Sequence, residues 1–349
     1  MFKFKLENSD MGAVAGRIGE FGRWVKTPTR ALIPKEIEHG EKIINRKISL
    51  DEFPHSIYEV TKHYYPNTLL SFIENYEVSN NIKKQLLELS NKGGLRWSFL
   101  HLDFDKNLNI TEEMNDKLIE LQLQCDLDAI SIFDYPRLLV RYFERRLRKS
   151  LKVIDEEYPL EPMPYLRMDS DEVLLKNKLN IINKYGIKMI NVNYVPPTRF
   201  FNNYTNLSKF AEKNDVWVHM SEVDRKWKSN HKTSLMHFLA FFSISSFAVR
   251  SRPIPMEKKF KKTMKPAKRF DKRCLGHITS DEHGNRYGED LGCDCFVDKG
   301  RNKTNFYENF SGSELLNSAI MFHEANSSLD EFSNFRKRIL SSDCRDYAK

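Results

Sequence analysis

Between residues 95 and 250, short apolar segments alternate with segments of helical periodicity. The apolar segments occupy residues 95–103, 128–134, 164–169, 187–194, 216–221 and 242–250. Helical periodicity dominates residues 112–124, 137–153, 171–185 and 205–214. Strands that alternate with helices at this spacing are typical of parallel βα units. Six such units, with room for two more before residue 95, predict an α/β fold and favour a TIM (β/α)8 barrel over an open doubly wound sheet.

Most of the predicted strands end in a polar side chain. These residues are Asp103, Asp134, Asp169, Asn193 and Ser221. In a barrel of parallel strands the carboxyl ends face the active site, so the five side chains are expected at one rim. Each residue alone could equally cap a helix or bond a loop, so their convergence is the argument for a site. No Gly-x-Gly-x-x-Gly motif follows any predicted strand, which removes the usual signature of dinucleotide binding.

Composition narrows the class of protein. The chain has 349 residues and five cysteines, too few for a disulfide scaffold of this length. The first residues lack the apolar core of a signal peptide, and the longest apolar stretch, residues 238–249, is far shorter than the ~20 residues of a membrane span. We therefore expect a cytoplasmic, intracellular protein that does not enter a membrane.

The net charge of +8 is concentrated in residues 250–273, which hold eleven lysines and arginines against two acidic residues. A loop this basic, interrupted by prolines and apolar side chains, can lie along phosphates, and we expect it to bind nucleic acid. The alternative is a solvated linker. The residues expected to contact phosphates are Arg250, Arg252, Lys258, Lys259, Lys261 and Lys262.

A metal site is predicted near the C-terminus. Cys293, Cys295 and His323 can hold three corners of a Zn²⁺ tetrahedron, and either Asp298 or Cys274 can complete it. Alternatively, the two cysteines are ordinary reduced thiols and the histidine lies on a helix surface. The predicted organisation is thus a barrel over residues 1–273, including N-terminal strands and the basic loop, and a zinc-binding module with closing helices over residues 274–349.

Several short motifs resemble one enzyme family. They are residues 16–19 (GRIG), 27–28 (TP), 31–34 (ALIP), 128–136 (DAISIFDYP), the Cys293, Cys295 and His323 spacing, residues 322–326 (FHEAN) and residues 335–336 (FR). In this order they resemble the tRNA-guanine transglycosylases, especially the archaeal type. The resemblance implies a zinc-stapled TIM barrel that exchanges a guanine in a nucleic acid for a 7-deazaguanine base such as preQ0. In that family one carboxylate attacks the ribose anomeric carbon, a second acts as acid and base, and a third reads the base edge.

The resemblance assigns roles to individual residues. Asp134 would accept hydrogen bonds from guanine N1 and N2, and Asp103 would be the acid/base aspartate, although the family has Ser-Gly where this chain has Phe104-Asp105. Met220 would form the apolar platform under the base. Asp169 and Asn193 would make further base contacts.

The nucleophile is not where the family places it. The last barrel strand reads Ser245 to Arg250, with Ala248 or a neighbour at the expected position. Either a carboxylate on the adjacent strand end takes over, Asp224 or Glu222, or the chain does not perform the covalent step.

Three functions follow as alternatives. The first is a transglycosylase on DNA, of the divergent branch found in phages and mobile elements, or on tRNA; the chain has no room for the C-terminal RNA-binding domain of archaeal tRNA enzymes, which favours DNA. The second is a non-catalytic nucleic-acid-binding subunit that pairs with an active partner, and a homodimer is also compatible. The third is a zinc-independent barrel hydrolase for a small nucleoside.

Overall fold

The computed structural model describes most of the chain. Described are residues 3–20, 22–49, 52–53, 57–64, 80–81, 83–84, 87, 98–104, 110–125, 127–134, 138–157, 160–224, 235–250, 268–271, 274, 276–287, 295, 297, 310 and 313–345. The strands are β1 (Lys3–Asp10), β2 (Ala13–Glu20), β3 (Arg23–Thr27), β4 (Thr29–Leu32), β5 (Ile57–Tyr64), β6 (Ser98–Phe104), β7 (Ala129–Phe133), β8 (Glu161–Leu166), β9 (Met189–Asn193), β10 (Trp217–Val223), β11 (Ser246–Val249), β12 (Arg269–Asp271) and β13 (Gly276–Ile278). The helices are α1 (Pro34–Ile44), α2 (Glu112–Leu123), α3 (Val140–Glu157), α4 (Glu172–Lys184), α5 (Phe201–Asn214), α6 (Leu235–Leu239), α7 (Ser280–Tyr287) and α8 (Ser313–Leu340).

The main sheet has eight strands, all parallel, in the order β6-β5-β4-β11-β10-β9-β8-β7. Its first strand in the chain, β4, is hydrogen-bonded to its last, β11, and the two edge strands β6 and β7 lie beside each other. The sheet is therefore strongly curled. The predicted α/β class and the six βα strands are confirmed, and β4 and β5 are the two expected before residue 95.

Two strand boundaries differ from the sequence prediction. β8 begins at Glu161, because it pairs with β7 from that residue, whereas β9 pairs with it only from Tyr165 onward. Pro162 and Pro164 have no backbone N–H to donate. They lie in the part of β8 where β9 does not pair, so no hydrogen bond to β9 is lost there. β11 begins only at Ser246, because residues 240–242 form a 3-10 turn and Ser243 takes a left-handed φ of 58°.

The 28-residue helix α8 joins the two ends of the chain. Its Arg336 donates hydrogen bonds to the carbonyl oxygens of Gly16 (2.5 Å) and Thr27 (2.6 Å). In β4, the fully buried Arg30 donates to the carbonyl oxygen of Glu324 in α8 at 3.2 Å. The antiparallel sheet β1-β2-β3 and the first strand of the main sheet are thus both held against the last helix.

No helix in the described part of the chain is both long enough and apolar enough to cross a membrane.

Candidate functional site

A group of polar side chains follows the carboxyl ends of three neighbouring strands of the main sheet. It consists of Tyr194 after β9, Glu222 and Asp224 at the end of β10, and Arg250 after β11, and is called the rim cluster below. Arg250 Nε lies 3.4 Å from Glu222 Oε2, and Arg250 Nη1 lies 3.2 Å from Asp224 Oδ1. Burial, and then the charge of Asp224, raises the pKa of the Tyr194 phenol to about 12. The cluster therefore places two carboxylates, a guanidinium and a protonated phenol at one edge of the sheet.

Glu222 has an unusual backbone conformation. Its φ is +62°, and the pairing of β10 with β11 shifts register between Met220 and Val223. A left-handed non-glycine residue costs on the order of 1–3 kcal/mol and persists only where its surroundings hold it. The bulge turns the end of β10, so that a side chain only 3% exposed meets Arg250.

The predicted site residues Asp169 and Asn193 are brought together on the adjacent strands. Asn193 Nδ2 donates to Asp169 Oδ1 at 3.5 Å, and Arg167 Nε donates to the same oxygen at 2.9 Å. Asn193 Oδ1 in turn accepts from the amide of Met168 at 2.7 Å. Both side chains are thereby fixed at the ends of β8 and β9, as expected for residues of a rim.

Asp134 lies between β7 and α4. Both of its carboxylate oxygens are 2.7 Å from Lys178 Nζ, and both side chains are fully buried. Burial lowers the pKa of the Lys178 ammonium, and attraction to Asp134 opposes that shift. This arrangement gives Asp134 a structural partner that the sequence did not indicate, and its proposed contact with guanine stays a prediction.

The structure describes the side chain of Met220 but not that of Asp103. Met220 is fully buried, with its sulfur 3.9 Å from the hydroxyl of Tyr204 in α5, so it packs between β10 and the helix layer. Asp103 lies in β6 in register with His63, and its side chain is outside the described part of the chain. Their roles as base platform and acid/base group remain predictions.

A buried hydrogen-bond network inside the sheet adjoins the rim cluster. His219 Nε2 and the Ser221 hydroxyl each lie 2.7 Å from Glu59 Oε2. His219 Nδ1 lies 2.8 Å from the hydroxyl of Ser246, and Ser221 is 3.0 Å from Asn191 Oδ1. All five side chains are fully buried. Ser221 was expected at the rim, and polar residues at every second position of β9 and β10 indicate an inward-facing polar layer, but nothing in the sequence indicated that this layer would bond to Glu59.

Two of the predicted zinc ligands are in contact. Cys295 Sγ lies 3.1 Å from His323 Nδ1, although 28 residues separate them, and both are buried. His323 Nε2 is 2.9 Å from the carbonyl oxygen of Phe270. Because a carbonyl only accepts, Nε2 must carry the proton, which leaves the Nδ1 lone pair directed towards the thiol. A metal-binding histidine is oriented in the same way by a backbone acceptor, so this pair fits a zinc site.

The rest of the predicted zinc site is not assembled by the described residues. Cys293 and Asp298 lie outside them, and within them no three His, Cys, Asp or Glu side chains come together as a metal site would need. Cys274 is described, with its Sγ 3.7 Å from the carbonyl oxygen of Asp271, and in the described residues it forms no three-ligand group with Cys295 and His323. The fourth ligand thus remains a prediction.

The basic segment falls mostly outside the description. Of its six predicted phosphate contacts, Arg250 is described, whereas Arg252, Lys258, Lys259, Lys261 and Lys262 are not.

A further group, of one aromatic and two cationic side chains, lies at the first turn of α3. Tyr142 is 39% exposed there, and the guanidinium carbons of Arg141 and Arg145 lie 4.7 and 5.3 Å from its ring centroid. Such a group can stack on a base, and its two arginines add positive charge to the surface at the start of α3.

Comparison of the sequence with protein-family models and with curated proteins finds no match.

Proposed function

We propose that the protein is a base-exchange transglycosylase that replaces guanine in a nucleic acid, DNA in preference to tRNA, with a 7-deazaguanine such as preQ0. The observation that carries the proposal is the rim cluster, in which Glu222 and Asp224 meet Arg250 at the carboxyl ends of β10 and β11. Departure of a base from ribose creates oxocarbenium character at C1′, which a neighbouring carboxylate stabilises or captures. The resemblance in sequence motifs adds independent support.

The proposal includes a closed TIM (β/α)8 barrel with a zinc module. Pairing of β4 with β11 and the proximity of β6 to β7 support closure of the barrel. Contact between Cys295 and His323 supports a zinc site completed by Cys293 and Asp298. A zinc ion with four protein ligands has no open position for catalysis, so it would hold the module together.

The chemistry assigned to the chain is a double displacement. A carboxylate oxygen of Asp224 or Glu222 attacks C1′, the C1′–N9 bond breaks, and its electron pair leaves with guanine, which takes a proton from Asp103. The incoming base loses a proton to Asp103 and attacks C1′, which releases the carboxylate. Arg250 orients both candidate nucleophiles, and Asp169 with Asn193 offers acceptors and a donor to the base edge.

Trapping of the covalent intermediate tests this function. The wild-type protein, incubated with guanine-containing DNA or tRNA and then denatured, is expected to give a protein-nucleic acid band on a gel. Either Glu222→Gln or Asp224→Asn should abolish the band, whereas the exposed and remote Glu38→Gln should keep it. No band and no incorporation of labelled base by the wild type with either nucleic acid would contradict the proposal. Mass spectrometry of nucleosides from cells with and without the gene then separates DNA from tRNA.

A non-catalytic subunit is the second candidate, favoured by one observation. Ala248 in β11 is fully buried, no residue of β11 carries a carboxylate, and Arg250 after it is paired with the carboxylates of β10. Such a subunit would bind nucleic acid without forming the band and would restore exchange when mixed with an active partner chain.

A further inference from the structure

A groove runs between helices α4 and α5 on the outer surface of the helix layer, and its lining combines the buried Leu179 and Phe210 with polar side chains. It encloses about 320 Å³ and is lined on the α4 side by Lys176, Asn180 and Asn183. On the α5 side it is lined by Asn206, Lys209 and Lys213. The spacings of four and three residues put each set on one helix face, so the two rows face each other across the groove.

The groove carries positive charge without a neutralising partner. None of its lining residues is acidic, and its three lysines form no ion pair with a carboxylate in the described part of the chain. Lysines on α2, on α3 and at the end of α4 behave differently. Lys117 pairs with Glu113 at 3.3 Å and Lys149 pairs with Asp116 at 2.6 Å, while Lys184, on another face of α4, pairs with Glu144 at 2.7 Å. The three groove lysines thus leave their charge available to an external anion.

Acidic residues near the groove do not cancel its charge. Glu172, in the first turn of α4, accepts hydrogen bonds from Asn202 at 2.8 Å and Asn206 at 3.2 Å. Glu212 is bound to the hydroxyls of Ser208 and Ser243. Neither carboxylate forms an ion pair with a groove lysine in the described part of the chain, although the amide of Asn206, a residue of the groove, is engaged by Glu172.

We propose that this groove binds the phosphodiester backbone of a nucleic acid. Lys209 and Lys213 are one helical turn apart, about 6 Å along the axis, and Lys176 faces them, so the cations meet a row of phosphates better than a single one. Asparagine amides donate to phosphate oxygens and carry no sequence information in such contacts. The groove would thus hold the strand irrespective of its sequence and away from the rim cluster. This inference depends on the proposed nucleic-acid partner but not on base exchange.

Fluorescence anisotropy with a labelled oligonucleotide, single-stranded and duplex, over a range of salt concentrations tests the groove. The variant Lys176→Gln, Lys209→Gln, Lys213→Gln is compared with Lys117→Gln, Lys149→Gln, Lys184→Gln, which removes the same charge from lysines paired with carboxylates. The groove variant should bind at least ~10-fold more weakly at low salt and flatten the slope of log K against log salt by about 2–3, at roughly 0.7–0.9 per lost phosphate contact. The control variant should change the slope by less than about 1.

Each outcome is decisive. An equal loss of affinity in both variants, or an unchanged salt slope in the groove variant, would overturn phosphate binding by the groove and would leave the base-exchange proposal intact. Absence of binding by the wild-type protein overturns both the groove and the proposed nucleic-acid partner. Loss of affinity specific to the groove variant supports the groove even if no base exchange is ever measured.

Discussion

At the scale of single residues, the buried pair of Asp134 and Lys178 changes how a predicted base-reading residue can be tested. The sequence showed an aspartate at a strand end followed by a proline, but a lysine 44 residues away gave no sign that it would be its partner. Removal of one member of a fully buried ion pair leaves an uncompensated charge, at a cost of about 3–5 kcal/mol. Loss of activity in a single variant would therefore not show whether the protein had lost stability or had lost recognition of the base.

Asp134→Asn is expected to lower the free energy of unfolding by about 3–5 kcal/mol, and Asp134→Asn with Lys178→Gln should recover most of it. Without Asp134 the pKa of Lys178 falls further below its ordinary value of 10.5, because attraction to the carboxylate is lost. Between the lowered pKa and 10.5 the unfolded chain binds a proton that the folded chain does not, so the loss of unfolding free energy in the single variant should shrink as pH rises towards 10.

Urea unfolding at several pH values measures both effects, with the exposed pair variant Glu144→Gln as control. A destabilised double variant would contradict the ion-pair account, and a stable double variant that still exchanges guanine would remove Asp134 from base reading.

Zinc should co-purify at about one ion per chain and depend on Cys295. Cys295→Ser should lose the metal and lower the unfolding midpoint more than Asp298→Ala, because thiolate is the better zinc ligand. Cys274→Ser should retain it, because in the described residues Cys274 forms no three-ligand group with Cys295 and His323. Elemental analysis with thermal unfolding decides the matter, and a fully folded wild-type protein without metal would remove the site.

At the scale of elements, strand positions followed from the apolar pattern, whereas the shape of the strand ends did not. Periodicity located β9 and β10 to within about two residues, because each is a buried apolar run bounded by helical segments. The left-handed turn at Glu222 depends on the register shift against β11, which is a contact between distant segments. For the same reason the sequence supplied the carboxylates of the rim cluster but could not choose between them.

Helix α6 is tied to the C-terminal region through His237, which gives the fold a measurable acid sensitivity. The imidazole stacks on Phe332 of α8 at 4.5 Å between ring centroids and on Phe270 of β12 at 5.7 Å. Burial, followed by the charges of Arg30 and His277, lowers its pKa to about 3 from an ordinary 6.5. Below pH 6.5 the unfolded chain takes up a proton that the folded protein refuses, so stability is lost as pH falls from 6.5 towards 3.

His237→Phe keeps an aromatic ring in the stack and removes the titration. Its free energy of unfolding should fall less steeply than that of the wild type between pH 6.5 and about 4, by up to ~1.4 kcal/mol per pH unit. Chemical unfolding at a series of pH values measures the slope, and His39→Gln, at a half-buried histidine of α1 that contacts Ser318 of α8, is the matched histidine removal. Parallel curves for His237→Phe and the wild type would show that His237 is not the group responsible.

At the scale of the whole molecule, the uneven distribution of charge is the property most relevant to function. The net charge of +8 arises in residues 250–273, and this concentration is visible in the sequence alone, whereas the nucleic-acid partner that it suggests stays a prediction. The groove between α4 and α5 could not, because its lysines and asparagines are scattered over two helices and become one surface only when the helices pack side by side.

Changing Lys258, Lys259, Lys261 and Lys262 together to Gln should weaken binding about equally for all nucleic-acid sequences. The slope of log K against log salt should flatten by up to ~4, at roughly one per lost phosphate contact, because lysine ammonium groups contact phosphates and read no bases. Anisotropy titrations with two unrelated oligonucleotides provide the measurement. An unchanged slope would mean that the segment is only a solvated loop, and a sequence-dependent loss would mean that it reads bases.

The hydrogen bonds between the amino-terminal strands and α8, the last helix, have a consequence for synthesis on the ribosome. Arg30 of β4 has its partners in α8 nearly 300 residues later, and β4 finds its neighbour β11 only after more than 200 further residues have been translated. Until then β4 has an open strand edge, and Arg30, although it pairs with the nearby Glu36, lacks its acceptors in α8, a condition that invites association with other chains. The nascent protein should therefore depend on a chaperone at the exit tunnel, and release of a chain truncated before residue 313 should yield aggregate in place of a smaller folded product.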